Sequence, residues 1–210
     1  MKQLFASVSR CAAVVALAAI TTPLFSGCAP LMVGGAVVGG LMASDRRTSG
    51  AQVEDQSIEL KAVSRVKTAI GDRGHVNVTS YNRMVLITGE VASDADRAAV
   101  EQALGQIENV RSVVNELAVT AASSIGSRSN DVVLTSKVKA SLIDARDLHA
   151  NAFKVVTERG QVFLLGRVTE REANRATEVA RSIGGVQKVV RVFELISEAE
   201  LASGQPPKQQ

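Results

Sequence analysis

Apolar residues recur along this chain first at helical and then at strand spacing, and the whole succession occurs twice. Leu60, Val63 and Ile70 are spaced as the buried face of a helix, as are Leu134, Val138 and Leu142. Alternating runs follow. Val76 and Val78, then Val85-Leu86-Ile87, predict two strands around a turn containing Asn82; Phe153 and Val155, then Val162-Phe163-Leu164-Leu165, repeat this around Arg159-Gly160. Ser93 with Asp96, and Thr169 with Glu172, have the spacing of helix-start caps, the second a capping box. Val100, Ala103, Leu104 and Ile107 mark the helix after the first, and Ala173, Ala176, Ala180 and Ile183 the helix after the second. A final strand is expected at 110–119 and again at 186–196.

Three sequence blocks match between the copies: 65–70 with 137–142, 84–91 with 161–168, and 109–114 with 185–190, at offsets of 72, 77 and 76 residues. Taken at face value, the second copy carries five extra residues before its second strand and one fewer in the following helix. Each unit reads α-β-β-α-β, an α+β fold in which two helices cover one face of a small three-stranded mixed sheet. Gly89 and Gly166 are expected to let strand and helix pack closely.

The amino-terminal stretch reads differently. Lys2 and Arg10 precede and flank a ten-residue apolar run, Cys11 to Ile20, too short to span a bilayer and shaped like a secretory signal. It ends in Phe25-Ser26-Gly27-Cys28, similar to a bacterial lipobox, so Cys28 is the expected lipidation site and residues 1–27 the signal. Ala29 follows, where an Asp typically marks retention at the inner membrane, which favours an outer-membrane address. Residues 28–56 are expected to be the lipidated Cys, a glycine-rich tether and a polar linker. Residues 57–121 form the first unit, 122–130 a linker, 131–200 the second unit and 201–210 a disordered tail.

Composition narrows the function. Aromatic residues are 3% of the 210, with no Trp and one Tyr, which argues against base-stacking surfaces and a nucleic-acid partner. The net charge of +3 falls to +1 without residues 1–27, because Lys2 and Arg10 leave with the signal. Two Cys and two His, far apart, supply neither a disulfide framework nor a metal cage, so no metal and no cofactor is expected. His75 and His149 read as surface residues without a carboxylate at ligand spacing. No nucleophile elbow, Walker loop or zinc signature occurs, so no enzyme is expected.

Residues 57–120 hold seven basic and eight acidic groups, and 128–200 hold twelve and ten, making the second unit the better partner for an anionic surface. On its first helix Leu134, Val138, Ser141 and Leu142 fall on one side. Val132, Ser136, Ala140 and Ile143 fall on the other, flanked by Lys137 and Lys139. Exposed apolar groups beside ammonium groups suit a helix lying at a membrane interface.

The repeated unit resembles the BON domain of bacterial envelope proteins. The resemblance rests on Val85-Leu86-Ile87-Thr88-Gly89, on the run from Val162 to Ala173, and on the Gly-Val and Val-Val pairs at 185–190. The lipobox, the glycine-rich tether, Asp45 to Gln52, Val78 to Tyr81 and Ser129-Asn130-Asp131 extend it to dual-BON outer-membrane lipoproteins. It implies a non-catalytic lipoprotein, held in the outer membrane and facing the periplasm. Its second unit would bind anionic phospholipid, such as phosphatidylglycerol or cardiolipin, through its first helix. It further implies links to envelope integrity, division, outer-membrane protein assembly machinery and cell-wall regulators. Lys139 and Ile143 keep the expected character, and Gly126 matches a family position between the units. Val133 stands where the family carries an aromatic residue.

Overall fold

A single charged side chain fixes how the first helix meets its sheet. The computed structural model describes residues 45–203; the signal, Cys28, the glycine-rich tether and residues 204–210 lie outside the described residues. Helix α1 (Ser49–Ile70) starts at an N-cap, Thr48, whose hydroxyl accepts from the Ala51 N–H at 3.1 Å. Asp55, buried in α1, accepts from the backbone N–H groups of Asn82 and Arg83, both at 2.8 Å, and from the Ser80 hydroxyl at 2.6 Å. Those residues close the hairpin between β1 (Gly74–Tyr81) and β2 (Met84–Val91), where Asn82 and Arg83 both have positive φ, as a tight primed turn requires.

The second unit repeats the device. Asp131, buried in α3 (Ile125–Asp144), accepts from the N–H groups of Arg159 and Gly160, both at 2.8 Å, in the hairpin between β5 (Phe153–Glu158) and β6 (Gln161–Val168). Arg159 and Gly160 again have positive φ.

This equivalence corrects the repeat register. Asp55, Ile58 and Ala62 face inward in α1 as Asp131, Leu134 and Val138 do in α3, an offset of 76 throughout. The offset of 72 was wrong by about one helical turn, a shift that leaves the apolar periodicity unchanged. Only one residue, not five, is added before the second hairpin: Asp55 to Asn82 spans 27 positions and Asp131 to Arg159 spans 28. Leu60 and Val63, expected in the core, are 75% and 71% exposed; Ile70 is buried as expected, but α1 otherwise buries Ala51, Asp55, Ile58 and Ala62.

Each unit continues as expected. Helix α2 (Asp94–Gly105) is capped by Ser93, and α4 (Glu170–Arg181) by the capping box of Thr169 and Glu172. β1 and β2 pair antiparallel, and β2 pairs parallel with β3 (Ser112–Asn115) and β4 (Ala118–Val119). The expected strand 110–119 is interrupted at Glu116 and Leu117, where the Asn115 side chain accepts from the Leu117 N–H. The second sheet has the order β5-β6-β7, with β7 (Lys188–Leu195) unbroken and parallel to β6. The close approach at Gly89 is between strands, a Cβ there standing 2.0 Å from the His75 carbonyl oxygen; at Gly166 it is to the short 3-10 turn Ala150–Ala152 that leads into β5, where a Cβ would stand 2.5 Å from the Ala152 carbonyl oxygen.

Strand alternation gives each sheet two working faces. Val85, Ile87 and Val91 meet α1 and α2 in one core, and Val162, Leu164 and Val168 meet α3 and α4 in the other. The opposite faces meet each other. Tyr81 and Leu86 from the first sheet join Phe163, Leu165 and Val192 from the second in a third buried cluster. The arrangement is four layers, helices outermost and two sheets face to face within.

Three expected linkers or tails are built into this frame. Residues 45–56 carry the opening turns of α1 and a clasp at its start. Arg46 forms a bidentate pair with Glu172, both bonds 2.7 Å, and donates to the Arg167 carbonyl at 3.0 Å. Arg47 pairs with Asp45 and Asp55 and lies 4.3 Å over the Tyr81 ring. Helix α3 begins at Ile125, inside the expected linker 122–130, and helix α5 (Glu198–Ser203) reaches into the expected tail. Polar sequence disguised these segments: 45–56 buries only Ala51 and Asp55, and neither 122–130 nor α5 buries a residue.

The Asp131 clamp predicts a measurable cost. Asp131→Ala removes the acceptor of the Arg159 and Gly160 N–H groups, the second of them buried, and should lower unfolding stability by about 3 kcal/mol in urea. Asp55→Ala, which also releases Ser80 and Arg47, should cost more; equal costs would mean the extra partners contribute nothing. The clasp predicts a pH dependence. Burial opposes ionisation of Glu172, but the hydrogen bonds from Arg46 and the Thr169 N–H outweigh it and hold its carboxyl below the ordinary range. A depressed folded pKa gives stability that is present above the ordinary carboxylate value and lost as pH falls through the folded one. Arg46→Ala should therefore cost about 3 kcal/mol at neutral pH, and the gap to wild type should narrow below about pH 4. A gap that stays constant in acid melts would contradict the ionic role.

Candidate functional site

Helix α3 is set in rotation by Asp131, whose carboxylate is locked onto the Arg159–Gly160 turn while Leu134, Val138 and Leu142 enter the core. The opposite side is thereby fixed outward. Val132, Val133, Ser136, Lys137, Lys139, Ala140 and Ile143 are all exposed on it. Ser136 donates its hydroxyl to the Val132 carbonyl at 3.0 Å, so this polar residue spends its donor on its own helix. Neither Lys137 nor Lys139 forms an ion pair with a described residue, which leaves both ammonium groups for an outside anion.

The stripe is longer than its expected span. Ile125, 83% exposed, stands two turns before Val132 on the same side, and Ile143 three turns after it. The spacing 125, 132, 143 was visible in the sequence, but Ile125 fell in a segment read as linker. Gly126 lies in the first turn of α3, exposed, rather than in a connection between the units. Val133 is half exposed at the flank and presents a smaller apolar group than an aromatic ring would.

Two features lie elsewhere. Leu60 and Val63 of α1, with Val66, Val76 and Val78, line an open apolar groove. At the rim of the inter-sheet layer, the strand register sets His75 directly opposite Glu90, and Glu158 of the second unit faces them. This corrects the reading of His75 as lacking a nearby carboxylate: the partners come from strand pairing and from the other unit, not from sequence spacing. Burial pushes the Glu158 carboxyl above its ordinary range, the Asn77 hydrogen bond opposes this, and the charge of Glu90 adds to it. Tyr81, at the centre of the interface, is pushed up to about 12 by burial and by Asp45.

No helix among the described residues is long and apolar enough to cross a membrane. The BON domain family model matches residues 59–121 and 130–196, one match for each unit. The chain is 39% identical over 178 residues to the outer membrane lipoprotein DolP of Haemophilus influenzae, covering 83% of this chain and 92% of that one. It is 29% identical over 154 residues to a 21 kDa hemolysin of Actinobacillus pleuropneumoniae, covering 72% and 79%. To the osmotically-inducible protein Y of Escherichia coli it is 28% identical over 134 residues, covering 60% and 67%. These names and the domain point to a non-catalytic envelope protein. With two tandem α-β-β-α-β units and this likeness along most of its length, the chain belongs to the BON-domain family, as a dual-BON lipoprotein similar to DolP.

Proposed function

We propose that this protein is a non-catalytic lipoprotein, anchored in the outer membrane through Cys28 and facing the periplasm, whose second BON unit binds anionic phospholipid through α3. The observation that carries this reading is the exposed stripe of Ile125, Val132 and Ile143, with Lys137 and Lys139 unpaired beside it. Apolar side chains at that spacing enter the acyl boundary of a bilayer while the ammonium groups meet phosphates. Each such cation contributes about 1 kcal/mol near an anionic surface, so α3 binds weakly and the acylated Cys28 supplies most of the retention. Phosphatidylglycerol and cardiolipin are the lipids of fitting charge. By this reading the protein supports envelope integrity, assembly or division by holding a periplasmic surface at anionic lipid.

A second reading rests on a different observation. The groove beside Leu60 and Val63 offers exposed apolar surface on the first unit, suited to a protein partner such as an assembly factor or cell-wall regulator. In that case the protein is a scaffold with little lipid affinity of its own.

Vesicle co-sedimentation separates them. A soluble fragment starting at residue 44 keeps the Arg46 clasp and lacks Cys28. It should pellet with phosphatidylglycerol or cardiolipin vesicles, not with neutral ones, and less as salt rises. Lys139→Glu with Ile143→Glu should abolish pelleting, whereas Leu60→Glu should leave it intact. Failure to pellet at low salt would refute the lipid reading and favour the scaffold. In cells, Cys28→Ala should release the protein from the membrane fraction; full retention would refute the anchor.

A further inference from the structure

We propose that His75, Glu90 and Glu158 form a binding site for a divalent first-row metal ion of the Zn²⁺ class, placed between the two BON units. One donor atom from each of the three side chains lies within 4.8 Å of the other two, and His75 Nδ1 is 3.7 Å from Glu90 Oε2. A tetrahedral ion with ligand distances of about 2.1 Å sets its ligands about 3.4 Å apart. The His75–Glu90 pair thus stands close to ligating separation, with a donor atom of Glu158 within 4.8 Å of both.

Glu90 is the observation that asks for a cation. Its side chain is 1% exposed, yet neither carboxylate oxygen, nor His75 Nδ1, has a hydrogen-bond partner among the described residues. Burying a carboxylate that accepts no hydrogen bond costs several kcal/mol, and a second carboxylate facing it adds repulsion. Of the cationic side chains lining the same cleft, neither forms an ion pair or hydrogen bond with Glu90 or Glu158. Arg73 pairs with Asp96 at 2.8 Å, and the Arg128 Nε donates to the Ser123 hydroxyl at 3.4 Å. A divalent ion on Glu90 and Glu158 would remove both penalties.

The backbone holds the donors in place. The antiparallel register sets His75 and Glu90 on the same face of the β1–β2 pair. Gly89, with φ of 112° and no room for a Cβ, lets the two strands close tightly beside them. The Asn77 amide donates to Glu158 Oε2 at 2.9 Å and orients that carboxylate from across the unit boundary, as outer partners of metal ligands do. One imidazole with two carboxylates suits Zn²⁺ and its neighbours better than Ca²⁺, which takes oxygen alone, or Cu(I), which prefers sulfur. Because the first unit supplies two donors and the second supplies one, the ion would join the two units.

The test uses the full chain purified in detergent and dialysed against Zn²⁺, with metal content read by elemental mass spectrometry and unfolding followed by circular dichroism. The expected result is one equivalent of Zn²⁺ per chain and a melting temperature that rises with added Zn²⁺. His75→Ala and Glu90→Gln should each weaken binding at least about tenfold and abolish the thermal shift, while His149→Ala should leave both intact. Glu90→Gln keeps the side-chain shape and loses the buried charge, so its metal-free form should melt no lower than wild type. Should either variant fail to fold, Glu158→Gln gives the same reading from the other unit. Absence of stoichiometric Zn²⁺, or equal binding by wild type and the His75 and Glu90 variants, would overturn the site.

Discussion

Everything in the architecture turns on a carboxylate that each first helix sends into the protein to hold the turn of the following hairpin. Asp55 and Asp131 satisfy backbone N–H groups in turns whose left-handed conformations leave those donors pointing inward. The bond is charge-assisted and buried, and therefore directional as well as strong. It fixes the helix both along its axis and about it. Once Asp131 is seated, Val132 and Ile143 face outward. Once Asp55 is seated, Leu60 and Val63 must leave the core, whatever their hydrophobicity would prefer. A polar contact thus decides which apolar residues are available to partners.

The same strands serve two cores because their alternation is kept on both sides. Val85 and Ile87 look to helices while Leu86 looks to the other sheet, and Val162 and Leu164 differ in the same way from Phe163 and Leu165. This explains why β2 and β6 are apolar at nearly every position although each sheet belongs to a small unit. Around the apolar centre of the interface the contacts are polar: Asn77 with Glu158, Lys154 with Glu59 at 2.9 Å, and Asn82 with Glu194. The pattern matches that of a stable protein interface, apolar within and polar at its rim.

The sequence was most legible where local chemistry decides structure. Strand alternation, the turns at Asn82 and Arg159-Gly160, the caps at Ser93 and Thr169, and the doubled element order were all readable from residues a few positions apart. So was the outward face of α3, since Leu134, Val138 and Leu142 define it unambiguously. The first helix was not. Its buried side consists of Ala51, Asp55, Ile58, Ala62 and Ile70, a mixture with little apolar contrast, while Leu60 and Val63 mimic a core stripe. The repeat register of the two first helices is hidden in the sequence for the same reason. Asp45 to Arg47 looked like linker because their anchoring is ionic, with partners as remote as Glu172. His75 and Glu90 are fifteen residues apart, and only the strand register reveals them as neighbours.

The clasp at Arg46 also gives the protein a mechanical character. A pull on the chain from the side of residue 44 does not begin by peeling α1 from its sheet. It is resisted first by the guanidinium fork on Glu172, which belongs to the second unit, while Arg47 beside it grips Asp55 of the first. Load entering at this point is therefore shared between both units through Arg46 and Arg47.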